Sequence, residues 1–220
     1  ATDPALAANY DTKTFAENKP LCKKELQAEL GLHDWPVPVV GMVTRLTGHK
    51  GLDLVRHVAQ EIVNNGLQLV VLGSGDAEYE SFFSELAARN PRSVGVRIQF
   101  NPALASKIYA GADLFLMPSK SEPCGLSQMV ALRYGTIPIV RETGGLRDSI
   151  HDSGDGEGNG FTFSSYNAHD MLNAILRAKA GYENPEGWQM LMKRAMECDF
   201  SWSASAKRYV EMYDQVCRLW

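Results

Sequence analysis

Five short apolar runs, each closed by glycine, proline or a polar turn and separated by stretches of helical period, leave this chain few folds. The runs are Val37 to Val43, Leu67 to Leu72, Val94 to Phe100, Asp113 to Met117 and Thr136 to Val140. Their length and continuous apolarity suit strands buried on both faces, as in a parallel sheet. Between the first two, Leu52, Val55, Ala59, Ile62 and Val63 fall on one helical stripe. Helices are also expected from Glu78 to Asn90, with Phe82, Leu86 and Ala87, from Ala103 to Ala110, and from Met129 to Tyr134. This alternation predicts an α/β chain built as a doubly wound, Rossmann-like parallel sheet.

The flanks read differently. Residues 1–18 are polar and aperiodic, and form an expected surface segment. Asn18, Lys19 and Pro20 then open a helix with Leu21, Leu26 and Leu30 on one side and Gly31 as its stop. Residues 152–160 read as a flexible, solvated acidic loop, because Gly154 and Gly156 occupy positions a calcium loop would give to ligands. Helices are expected at Met171–Ala180, Trp188–Cys198 and Ser203–Leu219, with Trp188, Trp202, Tyr209 and Tyr213 as packing surface. The chain thus divides into a segment 1–18, a domain 19–200 and a terminal helix within 201–220. Ala1-Thr2-Asp3-Pro4 has no initiator Met, which leads us to expect an excised fragment or a processed product.

A net charge of −4 argues against a broad nucleic-acid surface or a polybasic membrane contact. No apolar run approaches the roughly 18 residues of a membrane span. The four cysteines lie far apart without a Cys-x-x-Cys, which disfavours a disulfide scaffold or zinc site and fits reduced thiols in a cytosol-like compartment.

In a doubly wound sheet the loops that follow the strands meet at one edge, where ligands bind. The richest of them is Pro118-Ser119-Lys120-Ser121-Glu122-Pro123-Cys124-Gly125-Leu126-Ser127-Gln128, leading from a strand into a helix. It offers free amides to a phosphate and one carboxylate, Glu122, to a hydroxylated group. Arg45 and Lys50 bring two cations to the same edge, suited to phosphate oxygens. Gly73-Ser74-Gly75 lets backbone approach a ligand or simply turns the chain, and Glu78 stands where a dinucleotide fingerprint needs glycine. No Asp-x-Asp, Gly-x-Ser-x-Gly or Walker loop is present, so a diphosphate would be met by cations and amides without a metal. Cys124 could be a nucleophile only with a His or Asn partner, and none is placed beside it in the sequence.

Arg45-Leu46-Thr47 with Lys50-Gly51-Leu52-Asp53, then Glu122-Pro123-Cys124-Gly125-Leu126-Ser127-Gln128, then Thr143-Gly144-Gly145-Leu146, resemble in order and spacing the C-terminal half of bacterial glycogen synthases and plant starch synthases, of GT-B fold. The likeness runs through nearly the whole chain. It implies retaining transfer of glucose from ADP-glucose to the non-reducing 4-OH of an α-1,4-glucan, with no metal or other cofactor. It implies catalytic roles for Arg45, Lys50 and Glu122, the first two on the departing diphosphate and the third on glucose hydroxyls. It implies donor binding by Gly73, Phe100, Cys124, Gly125, Leu126, Ser127, Thr143 and Gly144, with the Phe100 ring against adenine. Val130 stands where many GT-B transferases carry a second Glu, which leaves Ser127 or Gln128 for the ribose.

The family's N-terminal domain, with its Lys-x-Gly-Gly-Leu loop, catalytic His and most acceptor contacts, has no counterpart in these 220 residues. The expectation is therefore a donor half that binds ADP or ADP-glucose, inactive alone, whose last helix packs toward that absent domain. No nucleic-acid or membrane partner is implied. The compartment implied is the bacterial cytoplasm, or the plastid for a plant source. Two other readings remain open: a UDP-glucose-dependent retaining GT-B transferase, and a non-catalytic nucleotide- or glucan-binding module.

Overall fold

The computed structural model describes residues 2–218. Six strands, β1 (Val39–Val43), β2 (Gln68–Gly73), β3 (Val94–Ile98), β4 (Leu114–Met117), β5 (Ile137–Arg141) and β6 (Phe161–Phe163), form one all-parallel sheet in the order β3-β2-β1-β4-β5-β6. The chain winds outward one way from β1 and then the other way from β4, so the topological switch lies between these two strands. Five strands match the apolar runs of the sequence, with ends moved by one or two residues.

Helices cover both faces. They are α1 (Phe15–Leu30), α2 (Leu52–Asn64), α3 (Ala77–Arg89), α4 (Pro102–Gly111), α5 (Ser127–Arg133), α6 (Gly144–Ser149), α7 (Ala168–Tyr182), α8 (Pro185–Glu197) and α9 (Trp202–Cys217). Alternate residues of β2 serve opposite layers: Val70 and Leu72 join Leu26, Leu30, Leu104 and Ile108, whereas Leu69 and Val71 join Val55, Ala59 and Ile62. That two-residue period is what a strand buried on both faces requires. Burying one such Leu or Val completely stabilises by about 1.5–3 kcal/mol.

Several expectations need correcting. Helix α1 starts at Phe15, not at Pro20, because Phe15 is buried while Pro20 falls in the second turn. Leu21 is 50% exposed, and the buried face is Phe15, Lys19, Cys22, Leu26 and Leu30. In the segment before it, residues 2–14, Tyr10 alone is buried, and its hydroxyl donates to the Ala110 and Tyr134 carbonyls at the ends of α4 and α5. In α3 the core-facing residues are Tyr79, Phe83 and Leu86, which leaves Phe82 half-buried.

The 152–160 stretch is pinned. The Asp152 carboxylate accepts from both terminal nitrogens of Arg177 and from the Gly154 and Thr162 amides, and the Arg177 and amide contacts hold its pKa below the usual range despite burial. The stretch delivers the chain into β6, a strand too short to show in the sequence. Of the aromatic residues expected to pack, Trp188 is buried, but Trp202, Tyr209 and Tyr213 of α9 are exposed. No residue of α9 is buried among those described. Its expected end at Leu219, and Ala1 of the first segment, lie outside the described residues.

Candidate functional site

Two adjoining cavities open where β1 and β4 end. The smaller, about 280 Å³, lies between Val43–Thr44 and Met117–Pro118 and is closed by Lys50, Glu122 and the Gly125–Ser127 backbone. The larger, about 440 Å³, lies between β1 and α4 and is lined by Arg45, Gly73, Phe100, Tyr109, Val130 and Tyr134, among others. Val43 and Thr44 belong to both.

Lys50 arrives on a 3₁₀ turn, Gly48–Lys50, and the chain reverses at Gly51, φ 74°, to start α2. A Cβ at Gly51 would stand 2.0 Å from the Pro118 carbonyl oxygen, so only glycine lets these loops meet. Lys50 Nζ donates to Glu122 Oε2 at 2.5 Å, and Ser119 Oγ donates to the same oxygen at 3.1 Å. Both side chains of the pair are mostly covered. The Lys120 amide donates to the His49 carbonyl at 3.0 Å, a second tie between the loops.

The 118–127 loop is held from below and from the side. Gln128 is fully buried and its Nε2 reaches the Cys124 and Gly125 carbonyls, at 3.2 and 3.0 Å. The ribose contact weighed for Gln128 is therefore not available, because the side chain lies under the loop. Gly144, φ 46°, begins α6 with its Cα against the Glu122 carbonyl; a Cβ there would be 2.2 Å from that oxygen. From β5, Arg141 donates to the Ser119 carbonyl at 2.9 Å and to the Lys120 carbonyl at 2.5 Å. Its guanidinium also lies 5.5 Å from the ring centre of Tyr166. Tyr166 follows β6, and its hydroxyl donates to Asp53 Oδ1 at 2.5 Å. Burial and the Asp53 carboxylate push the Tyr166 pKa well up, so the phenol stays a donor.

The sequence candidates fall into three groups. Lys50, Glu122, Gly125, Leu126 and Ser127 line the smaller cavity, and Arg45, Gly73 and Phe100 the larger. Cys124, Thr143 and Gly144 line neither; Cys124 belongs to the 118–127 loop and Gly144 packs against it. Cys124 is exposed and sits three residues ahead of α5, not at its first turn. Phe100 is 90% exposed, unlike an ordinary core aromatic at a strand end, so its ring is free to cover a flat ligand. The sequence reading missed Thr44, Ser119, Tyr109, Tyr134 and Arg141; only Ser119, inside the Pro/Gly-rich loop, carried a local signal. Among the described residues, no three His, Cys, Asp or Glu side chains converge on a common point, and no helix is long and apolar enough to cross a membrane.

A doubly wound parallel sheet with a cation–carboxylate pair and a Pro/Gly-rich loop at its switch point has the layout in which sheets of this class bind ligands. Residues 25–190 match the model for glycosyl transferases group 1, and the chain belongs to that family. It is 54% identical over 219 residues to a glycogen synthase of Geobacillus thermodenitrificans, covering 98% of this chain and 45% of that one. A glycogen synthase of Bacillus cereus is 53% identical over 215 residues, with 96% and 45% coverage. The catalytic domain of starch synthase IV from Arabidopsis thaliana, solved bound to ADP and acarbose, superposes with a TM-score of 0.89 at 38% identity, covering 98% of this chain and 46% of that one. Sucrose-phosphate synthase from Thermosynechococcus elongatus shares the fold at a TM-score of 0.66 and 23% identity, with 98% and 53% coverage. The chain spans just under half the length of the glycogen synthases it matches.

Proposed function

We propose that this chain is the donor-binding half of a retaining glucosyltransferase of the glycogen and starch synthase kind. Its donor is ADP-glucose, and glucose passes to the non-reducing 4-OH of an α-1,4-glucan. The observation that carries this reading is the pair of cavities joined at Val43 and Thr44. A nucleoside fits the larger, apolar one, with its base under the exposed Phe100 ring. A hexose fits the smaller, where Glu122 accepts from its hydroxyls. The diphosphate then spans the join, with Arg45 on one side and Lys50 on the other. The glycogen synthase relatives and the starch synthase solved with ADP support the choice of donor.

In this reading Arg45 and Lys50 take up the charge that grows on the departing diphosphate, help worth roughly 3–4 kcal/mol per well-placed donor. Lys50 has three N–H donors, so it can hold Glu122 and a phosphate oxygen together. The amides from Cys124 to Ser127 and the Ser127 hydroxyl steady phosphate and sugar, while Thr143 and Gly144 fix the loop that carries them. The cations serve in place of a metal. Residues 15–200 form the donor domain, since α1 starts at the buried Phe15, and the residues before it are its link to a preceding one. The exposed stripe of α9, Trp202, Tyr209, Tyr213 and Val216, packs on that part of the enzyme. The acceptor and the catalytic His belong there too, so the 220-residue chain alone transfers little or no glucose.

Calorimetric titration with ADP, ADP-glucose, UDP and UDP-glucose, each with and without EDTA, tests the reading. Tighter binding of the adenine pair is expected. Tighter UDP binding would move the chain to a UDP-glucose enzyme, failure of all four would remove the donor site, and binding lost only in EDTA would require a metal.

A further inference from the structure

The first turn of α2, the loop after β4 and the end of β5 are joined through one aromatic residue that follows β6. Tyr166 donates its hydroxyl to Asp53, three residues beyond Lys50 and in the first turn of α2. The ring of Tyr166 has Lys120 Nζ 5.8 Å and the Arg141 guanidinium 5.5 Å from its centre, both within cation–π range. Arg141 in turn holds the Ser119 and Lys120 carbonyls, and Ser119 holds Glu122. The circuit closes where Glu122 meets Lys50.

Resting on the donor reading above, we infer that Tyr166 is a positioning residue for the sugar–diphosphate end of the donor site. It ties the turn that carries Lys50 to the loop that carries Glu122. Tyr166 lines neither cavity, so it acts through these two residues and touches no donor atom. Loop termini set only by backbone contacts drift against each other; a hydroxyl bonded to one and a ring clasped by cations of the other removes that freedom before the ligand arrives. Less ordering is then left to oppose binding. The nucleoside end, around Phe100 and Tyr109, has no link to this circuit among the hydrogen bonds of Tyr166. The effect is therefore selective for ligands that reach Lys50 and Glu122.

The test uses the 220-residue chain and the variants Tyr166→Phe, Asp53→Asn and the two combined. Calorimetry compares ADP-glucose, which fills both cavities, with AMP, which lacks the second phosphate and the sugar. Tyr166→Phe keeps the ring and removes only the hydroxyl bond, a loss corresponding to about fivefold in affinity. We expect that loss for ADP-glucose with AMP unchanged, and no further loss in the double variant beyond the single ones. ADP-glucose binding at wild-type strength in Tyr166→Phe would overturn the inference. An equal fall for AMP, together with a lower thermal midpoint, would also overturn it, because it would mark Tyr166 as a packing residue only. Failure of the wild-type chain to bind either ligand would remove the donor site itself and this inference with it, an outcome distinct from the other two.

Discussion

Lys50 Nζ and Glu122 Oε2 lie 2.5 Å apart, 72 residues distant in the chain, with their side chains 19% and 13% exposed. Lys50→Ala leaves a poorly hydrated carboxylate with Ser119 as its remaining partner. Destabilisation of about 2 kcal/mol is expected, less than the 3–5 kcal/mol for a fully buried broken pair. Urea denaturation measures it. Adding Glu122→Gln to Lys50→Ala removes the stranded charge and recovers part of the loss; a double variant less stable than the single would contradict this.

Lys50 lines the smaller cavity and Arg45 the larger, and the two cavities meet at Thr44. Each truncation to Ala is expected to weaken ADP binding about tenfold, the scale of one hydrogen bond to a charged group. Each also flattens the dependence of affinity on salt, since one cation fewer faces the diphosphate. Titrations at several salt concentrations settle it, and unchanged affinity in both variants would withdraw the phosphate assignment.

Gly144 holds φ 46° with its Cα against the Glu122 carbonyl. Gly144→Ala must both strain that backbone and push the Glu122 loop away, at a cost of about 2 kcal/mol. The displaced group is the one read as contacting the hexose. Affinity for ADP-glucose should therefore fall more than affinity for ADP, and an equal fall in the two would show that the loop moved without Glu122.

Lys19 is buried beneath the sheet edge, donating to the Ala110 and Tyr134 carbonyls and to Thr136 Oγ1. Burial pushes its pKa down to about 7. The unfolded chain, with the ordinary lysine value near 10.4, therefore holds more protons than the folded one above pH 7. Stability from this group rises with pH from about 7 toward 10 and is level below 7. The wild type should gain on Lys19→Met across that window in urea melts run from pH 6 to 9. A constant difference between the two would show that Lys19 does not titrate there.

Helix α9 buries no residue against the rest of the described chain. Truncation after Phe200 should leave the thermal midpoint of the domain unchanged, within about 0.5 kcal/mol of stability. A clear drop would mean that α9 contributes to folding of this half.

Much of the fold could be read from sequence because β1 to β5 are apolar runs stopped by turn residues. β6 could not: Phe161-Thr162-Phe163 is three residues long and follows a Gly/Asp-rich stretch, so it has no periodicity to detect. The stripe read for α3 ran through Phe82, Leu86 and Ala87, whereas packing against the sheet selects the adjacent Phe83 with Tyr79 and Leu86. Pro20 imitated a helix start because a first-turn proline is common, whereas burial of Phe15 set the real one. Of the site, Lys50 and Glu122 stood out because glycines and prolines bracket them. Tyr109, Arg141 and Tyr166 did not, since each acts through contacts with segments remote in the chain.

Tyr10 and Lys19 both donate to the same two carbonyls, Ala110 and Tyr134, at the closing ends of α4 and α5. Helix α5 starts at Ser127, on the rim of the smaller cavity, and is only seven residues long. Through α5, about 10 Å long, the Tyr10 and Lys19 contacts at one end are joined to the rim of the smaller cavity at the other.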